Sequence, residues 1–170
     1  GLRCAPCLQP RAVPTHPIAA SDRLVLVIDR APPPAAYLEA GTEVRSGGSA
    51  RRSVPNMPAI FDAIAARHDA MLVRREDCPL FEQIFLFSRA WRVVAQHGAA
   101  LSHLIWARPD AGLVEILPNP GGLATDRAPR KGCFRVLCER LAMPRQVVSQ
   151  QNHHAPVDPA AVLQALAELG

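Results

Sequence analysis

His97, Gly98 and Ala99 form a short segment whose residue types suit the binding of a phosphate. They follow an apolar run at residues 93–95 and begin a stretch with amphipathic spacing at residues 99–106. At a turn between a strand and a helix, the unpaired backbone N–H groups of the first helical turn and the helix dipole both attract an anion. The small residues would let a phosphate come close to the backbone, and the histidine adds an imidazole. A histidine that fills a polar notch beside a turn glycine fits the same pattern, and the residues alone leave both interpretations open.

A glutamate and several arginines are further candidates for chemistry. Glu115 lies among aliphatic residues at 113–117, where burying an unpaired carboxylate is costly. It either faces water on an edge strand or accepts hydrogen bonds from two ribose hydroxyls, and the pattern does not decide between these. Arg30 and the pair Arg51 and Arg52 carry the planar guanidinium that suits phosphate oxygens, although many surface arginines are merely solvated.

Alternating strand and helix patterns must position these side chains. Strands are predicted from short apolar runs at residues 24–28, 70–73, 92–95, 113–117 and 146–148. Helices are predicted from periodic apolar spacing at residues 58–66, 79–89, 99–106, 132–141 and 159–169. This alternation predicts an α/β fold with a parallel sheet and helices on both faces. Because such sheets bind ligands beyond the carboxyl ends of their strands, we expect Arg30, His97 and Glu115 to converge there. Asn56 and Asp158 are placed to cap the helices that follow them.

The remaining organisation is simple. Residues 1–21 are rich in proline and unpatterned, which predicts a linker or an edge segment, and residues 22–170 form one α/β domain. Since the sequence begins with Gly1 and not with methionine, we expect an internal start within a longer protein. No apolar run approaches the roughly 18 residues that a membrane span requires. Membrane attachment is therefore expected only through a segment outside this sequence.

Composition excludes several classes of function. The net charge is only +4, the arginines are scattered and aromatic residues make up 5% of the chain, so we expect no nucleic-acid partner. The chain lacks the glycine-rich dinucleotide and phosphate-loop motifs and the serine elbow of α/β hydrolases. Five cysteines are odd in number and too few for a disulfide framework. Cys4 and Cys7 with His153 and His154 lack the second ligand pair of a zinc site, so no metal is predicted.

Several segments resemble glycosyltransferase family 61. The segment VVAQHGAALSHLIWARPDAGLVEILP, residues 93–118, resembles the family signature in which a strand leads to HGA, an apolar helix and a glutamate-bearing strand. The family's glutamine-bearing helix before that strand resembles the segment LFEQIFLFSRAWRVVAQHGA. An apolar family strand that ends in arginine resembles the segment LVLVIDR. RRSVPN resembles an arginine-to-asparagine element, and PVDPAAVLQALAELG the final helix. The resemblance covers residues 22–170. Ala100 and Met57 depart from it, since a smaller residue and an acidic residue are usual there.

The resemblance implies a Rossmann-like C-terminal lobe of a GT-B type enzyme, with the N-terminal acceptor lobe absent from this sequence. It implies an inverting glycosyltransferase that moves a sugar from a nucleotide-sugar, with a UDP-sugar favoured, to a glycan or glycoprotein acceptor. No DxD pair is present, which fits a site without metal and without a cofactor other than the donor. The Golgi or endoplasmic reticulum lumen is expected for a eukaryotic protein, and the cytoplasm otherwise. A non-catalytic nucleotide-binding relative and an unrelated α/β nucleotide-binding domain are the alternatives.

On the matching positions, the family implies a donor site made of Arg30, Arg52, Asn56, His97, Gly98, Ala99 and Glu115. The HGA segment would face the diphosphate, the arginines would neutralise it, and the asparagine would support the arginine loop. The glutamate would accept hydrogen bonds from the ribose hydroxyls. The general base for the acceptor hydroxyl is expected from the absent lobe, so no catalytic residue is assigned.

Overall fold

The computed structural model describes residues 21–30, 52–74, 78–118 and 132–170. The elements follow in the order β1 (Val25–Asp29), α1 (Met57–Ala65), β2 (Ala70–Arg74), α2 (Leu80–Arg89), β3 (Arg92–Gln96), a 3-10 helix (Ala99–Trp106), β4 (Gly112–Pro118), α3 (Cys133–Arg140), β5 (Arg145–Gln150) and α4 (Pro159–Glu168). Every predicted strand and helix is present, with ends no more than two residues from those predicted. The predicted segment 1–21, apart from Ser21, lies outside the described residues, as do Cys4, Cys7 and Arg51.

The five strands form one sheet in the order β2-β1-β3-β4-β5, and every neighbouring pair is parallel. The predicted α/β class is therefore confirmed. Strand order reverses between β1 and β3, because the chain first builds outward to β2 and then continues on the other side of β1. At such a switch point the connections leave in opposite directions and open a crevice beyond the strand ends, which is where open α/β sheets bind ligands.

Both faces of the sheet are covered, which explains the uninterrupted apolar runs of its strands. Successive side chains of a strand point to opposite faces. Val25 and Val27 thus pack with α1 and α4, whereas Leu26 and Ile28 pack with α2, the 3-10 helix and α3. The inner strands are consequently buried on both sides, and polar groups placed on them need partners within the protein.

The turn that follows α3 contains the one non-glycine residue of the described ranges with a positive φ, Ala142 at 52°. The N–H of Met143 donates to the Cys138 carbonyl at 2.8 Å, and the N–H of Ala142 donates to the Glu139 carbonyl at 3.3 Å. This pair of bonds is the Schellman ending of a helix, in which glycine usually takes the left-handed position.

We therefore expect Ala142→Gly to stabilise the protein by about 0.5–1 kcal/mol, because glycine adopts this conformation without a Cβ clash. Urea unfolding followed by circular dichroism measures the change. The same substitution inside α1, Ala63→Gly, should instead lower the free energy of unfolding by a similar amount. A loss of stability in Ala142→Gly would contradict the expectation.

Candidate functional site

Arg30 and the His97–Gly98 turn meet at the switch point of the sheet. Arg30 directly follows β1 and His97 directly follows the neighbouring strand β3. The guanidinium lies over Gly98 so closely that a Cβ on this residue would be 1.7 Å from Arg30 Nη2. The φ of Gly98 is 163°, an extended value open to any residue. Glycine here leaves room for the Arg30 guanidinium, and its backbone freedom is not required.

His97 is held by a carboxylate of the next strand. Its Nδ1 is hydrogen bonded to Glu115 Oε1, and Arg145 Nε donates to Glu115 Oε2 at 2.6 Å. The register pairs Ala95 of β3 with Glu115 of β4, so His97, two residues further along, lies on the same face. The sequence did not single out Arg145. A buried glutamate requires a cation or several donors, but no pattern in the chain says which arginine supplies it.

This geometry bears on both interpretations of Glu115. Its side chain is 0% exposed, so the interpretation as an edge-strand residue facing water is wrong. Both carboxylate oxygens are engaged by His97 and Arg145. A ribose hydroxyl would reach the carboxylate only after one of these partners had moved.

Arg52 also reaches the turn after β3. Its Nη1 donates to the His97 carbonyl at 2.9 Å. The backbone that carries it is fixed by two buried glutamines at the ends of β3 and β5: Gln96 Nε2 and Gln150 Nε2 donate to the Ser53 carbonyl at 3.0 Å and 2.8 Å. Sequence reasoning missed both glutamines. The available signal was a polar residue ending each of two apolar strands.

Asn56 does not cap α1, contrary to the sequence-based expectation, since its side chain makes no capping hydrogen bond. Its Nδ2 donates to the Val157 carbonyl at 2.7 Å, and its Oδ1 accepts from the Val157 N–H at 3.0 Å. The asparagine thus joins the segment before α1 to the segment before α4. Asp158 does cap α4, as predicted, by accepting from the Ala160 N–H at 2.9 Å.

A serine and a histidine strengthen the same junction. Ser53 Oγ lies 2.9 Å from His154 Nδ1, and the Ser53 N–H donates to the His153 carbonyl at 2.9 Å. Burial lowers the pKa of His154 from its ordinary value, because desolvation disfavours the charged imidazole. The contact between these side chains is therefore between neutral groups near pH 7.

The helix that follows Gly98 is a 3-10 helix, Ala99–Trp106. Its first turn closes with the Leu101 N–H on the Gly98 carbonyl at 3.0 Å. Ser102 Oγ donates to the Ala99 carbonyl at 2.7 Å. In an α-helix this carbonyl would instead accept from the backbone N–H four residues further along the chain. The first N–H groups of such a helix still have no partner within it.

Three further findings concern the described residues only. Cys78, Cys133 and Cys138 are free thiols, and burial raises the pKa of Cys138 to about 11. The described ranges hold no group of three or more His, Cys, Asp or Glu residues that could bind a metal ion. No described helix has the length and apolar character needed to cross a lipid bilayer.

Comparison with known proteins identifies a family. The family model described as Glycosyltransferase 61 matches residues 8–114. No curated protein matches the chain. The matched range contains Arg30, Arg52, His97 and Gly98, and it ends one residue before Glu115.

Proposed function

Because the chain belongs to glycosyltransferase family 61, we propose that it binds a nucleotide-sugar donor, with a UDP moiety, at the crevice between the ends of β1 and β3. It then transfers the sugar, with inversion, to a glycan or glycoprotein acceptor. The five-stranded parallel sheet supports a role as the donor-binding lobe of a GT-B enzyme. The acceptor is bound outside the described residues.

The placement of the Arg30 guanidinium over Gly98 is the observation that carries this proposal. A diphosphate in the crevice would meet the Arg30 guanidinium and, directly beside it, the backbone N–H groups of Gly98 and Ala99 at the start of the 3-10 helix. Guanidinium groups bind phosphate oxygens by paired charge-assisted hydrogen bonds, and helix N-termini bind anions. A single short crevice thereby supplies both kinds of donor.

The same donors can accelerate the transfer. Cleavage of the glycosidic bond leaves negative charge on the nucleoside diphosphate, and cations already in place stabilise that charge as it develops. Arg30 lies over the turn. Arg52 is bound to the turn through the His97 carbonyl, so its charge stays within the crevice. The general base that activates the acceptor hydroxyl is assigned to the part of the enzyme that holds the acceptor.

Titration calorimetry of the full chain with UDP tests the proposal. We expect UDP to bind, and to bind more tightly than UMP, because the second phosphate adds charge-assisted contacts. Absence of UDP binding, or equal affinity for UMP, would contradict the proposed site. Thermal-shift measurements with a panel of UDP-sugars would then identify the donor, since a ligand that binds only the folded state raises its apparent stability.

Gly98→Ala should weaken UDP binding about tenfold, which corresponds to one hydrogen bond to a charged group. The new methyl group would displace the end of the Arg30 side chain and not the backbone, so we expect an unchanged melting temperature. Gly132→Ala is the matched control, because a Cβ there meets no atom within 4 Å. Calorimetry and thermal melts of the two variants measure both effects. Unaltered UDP affinity in Gly98→Ala would contradict the assignment.

A further inference from the structure

The hydrogen bond between His97 and Glu115 constrains where the imidazole carries its proton. An ionised carboxylate accepts hydrogen bonds and cannot donate them. Glu115 Oε1 therefore requires a proton on His97 Nδ1. Arg145 Nε donates to the other oxygen at 2.6 Å, which favours the ionised carboxylate and fixes its plane.

The described groups around the ring sum to no net negative charge. Arg145 balances the charge of Glu115, so the pair offers the imidazole no net negative charge. Arg52 adds a positive group at the His97 carbonyl. From α3, the ring of Phe134 meets the imidazole edge-on at 5.2 Å, and the Cys138 thiol stays protonated because burial raises its pKa to about 11. The neutral imidazole then carries a lone pair on Nε2.

We propose that Glu115 and Arg145 are positioning residues, which hold His97 as the neutral Nδ1–H tautomer so that Nε2 accepts a hydrogen bond from a hydroxyl of the bound ligand. A diphosphate has no proton to give to this lone pair, so the imidazole recognises a hydroxyl while the backbone and the arginines take the phosphates. The His97 side chain is 11% exposed, whereas the Glu115 side chain behind it is fully buried. The hydroxyl belongs either to the nucleotide-sugar or to the molecule that attacks it. The contact between Nε2 and a ligand hydroxyl rests on the proposed function, whereas the assignment of the His97 tautomer does not.

Nitrogen NMR of the full chain, labelled with ¹⁵N-histidine and free of ligand, reads the tautomer directly. The His97 signals are those lost in His97→Asn. At pH 7.5 we expect Nδ1 to carry the proton and Nε2 to carry none. A proton on Nε2 in the unmodified protein would overturn the proposal.

Two substitutions separate positioning from packing. In Glu115→Gln, Arg145 still requires an acceptor, so the amide oxygen turns toward the guanidinium and the amide nitrogen donates to His97 Nδ1. The imidazole proton then moves to Nε2. In Arg145→Gln, the charge of Glu115 is no longer balanced, and we expect protons on both ring nitrogens. Arg135→Gln, at an exposed pair with Glu139 on α3, should leave the unmodified pattern. Unchanged His97 signals in both site variants would refute the positioning role.

The same samples locate the hydroxyl. If it belongs to the donor, Glu115→Gln should weaken binding of the UDP-sugar about tenfold, and binding of UDP by the same factor when the hydroxyl lies on the nucleoside. If it belongs to the attacking molecule, the affinity for the UDP-sugar stays, and its hydrolysis, in which water attacks, slows by a comparable factor. If the His97 proton moves to Nε2 in Glu115→Gln but neither binding nor hydrolysis changes, the proposed contact between His97 and a ligand hydroxyl is overturned. Failure of the unmodified protein to bind UDP would instead refute the proposed function and the ligand contact, while the tautomer result would stand on its own.

Discussion

Replacing Arg30 by alanine is expected to slow release of the sugar from its donor about 10²- to 10³-fold, the usual cost of removing a group that stabilises developing negative charge. The residue lies beyond the end of β1 and over Gly98, so it would contact the leaving diphosphate. It lies outside the buried core, and the free energy of unfolding should change by less than about 1 kcal/mol. Hydrolysis of a UDP-sugar, followed by UDP release, and urea unfolding measure the two quantities.

Arg74→Ala is the matched control for this experiment. Arg74 ends β2 at the same edge of the sheet, pairs with Asp29 at 3.2 Å and is half exposed. Its loss removes an equal charge one strand away from the proposed crevice. We expect a less than twofold effect on hydrolysis. Equal damage from both substitutions would indicate a general electrostatic effect and contradict a specific role for Arg30.

Replacing Arg92 by methionine should have the opposite consequence, a loss of about 2–4 kcal/mol of stability without loss of donor affinity in the folded protein. Arg92 begins β3 at the other edge of the sheet and is 3% exposed. Its guanidinium donates to the carbonyls of Trp91, Asp110, Leu169 and Gly170. Methionine would fill much of the volume but leave those acceptors without their donor. Two of them, the carbonyls of Leu169 and Gly170, directly follow α4, which covers one face of the core.

Urea unfolding measures the stability of Arg92→Met, and calorimetry with UDP at low temperature measures binding by its folded fraction. Unchanged stability would mean that water replaces the guanidinium at all of the carbonyls. Weakened UDP binding would mean that this edge communicates with the crevice. Together with Arg30→Ala, the experiment assigns binding to one edge of the sheet and stability to the other.

The secondary structure was predictable because both faces of the sheet are covered. Strand β1 is apolar from Val25 to Ile28, and the polar pair Asp29 and Arg30 therefore marked the end of a buried strand. The rule that parallel strands end at one edge then placed Arg30 near His97. This inference needed no knowledge of the strand order.

The partners of the buried polar groups could not be predicted in this way. Gln96 and Gln150 lie 2.6 Å apart although 54 residues separate them in sequence. They meet because Gln96 ends β3 and Gln150 ends β5, with only β4 between these strands. Arg145 reaches Glu115 for the same reason, because β4 and β5 are paired. Local pattern shows that a buried polar group needs a partner, and only the order of the strands shows which one. The donor-binding roles of these residues stay a prediction.

The two glutamine amides on the Ser53 carbonyl have a thermodynamic consequence for any anion that Arg52 binds. They hold the backbone of Ser53, the residue that follows Arg52, at the strand ends before a ligand arrives. Most of the conformational entropy of the segment that carries Arg52 is therefore lost during folding and not during association. Preorganisation of this kind raises affinity without adding a single contact to the ligand.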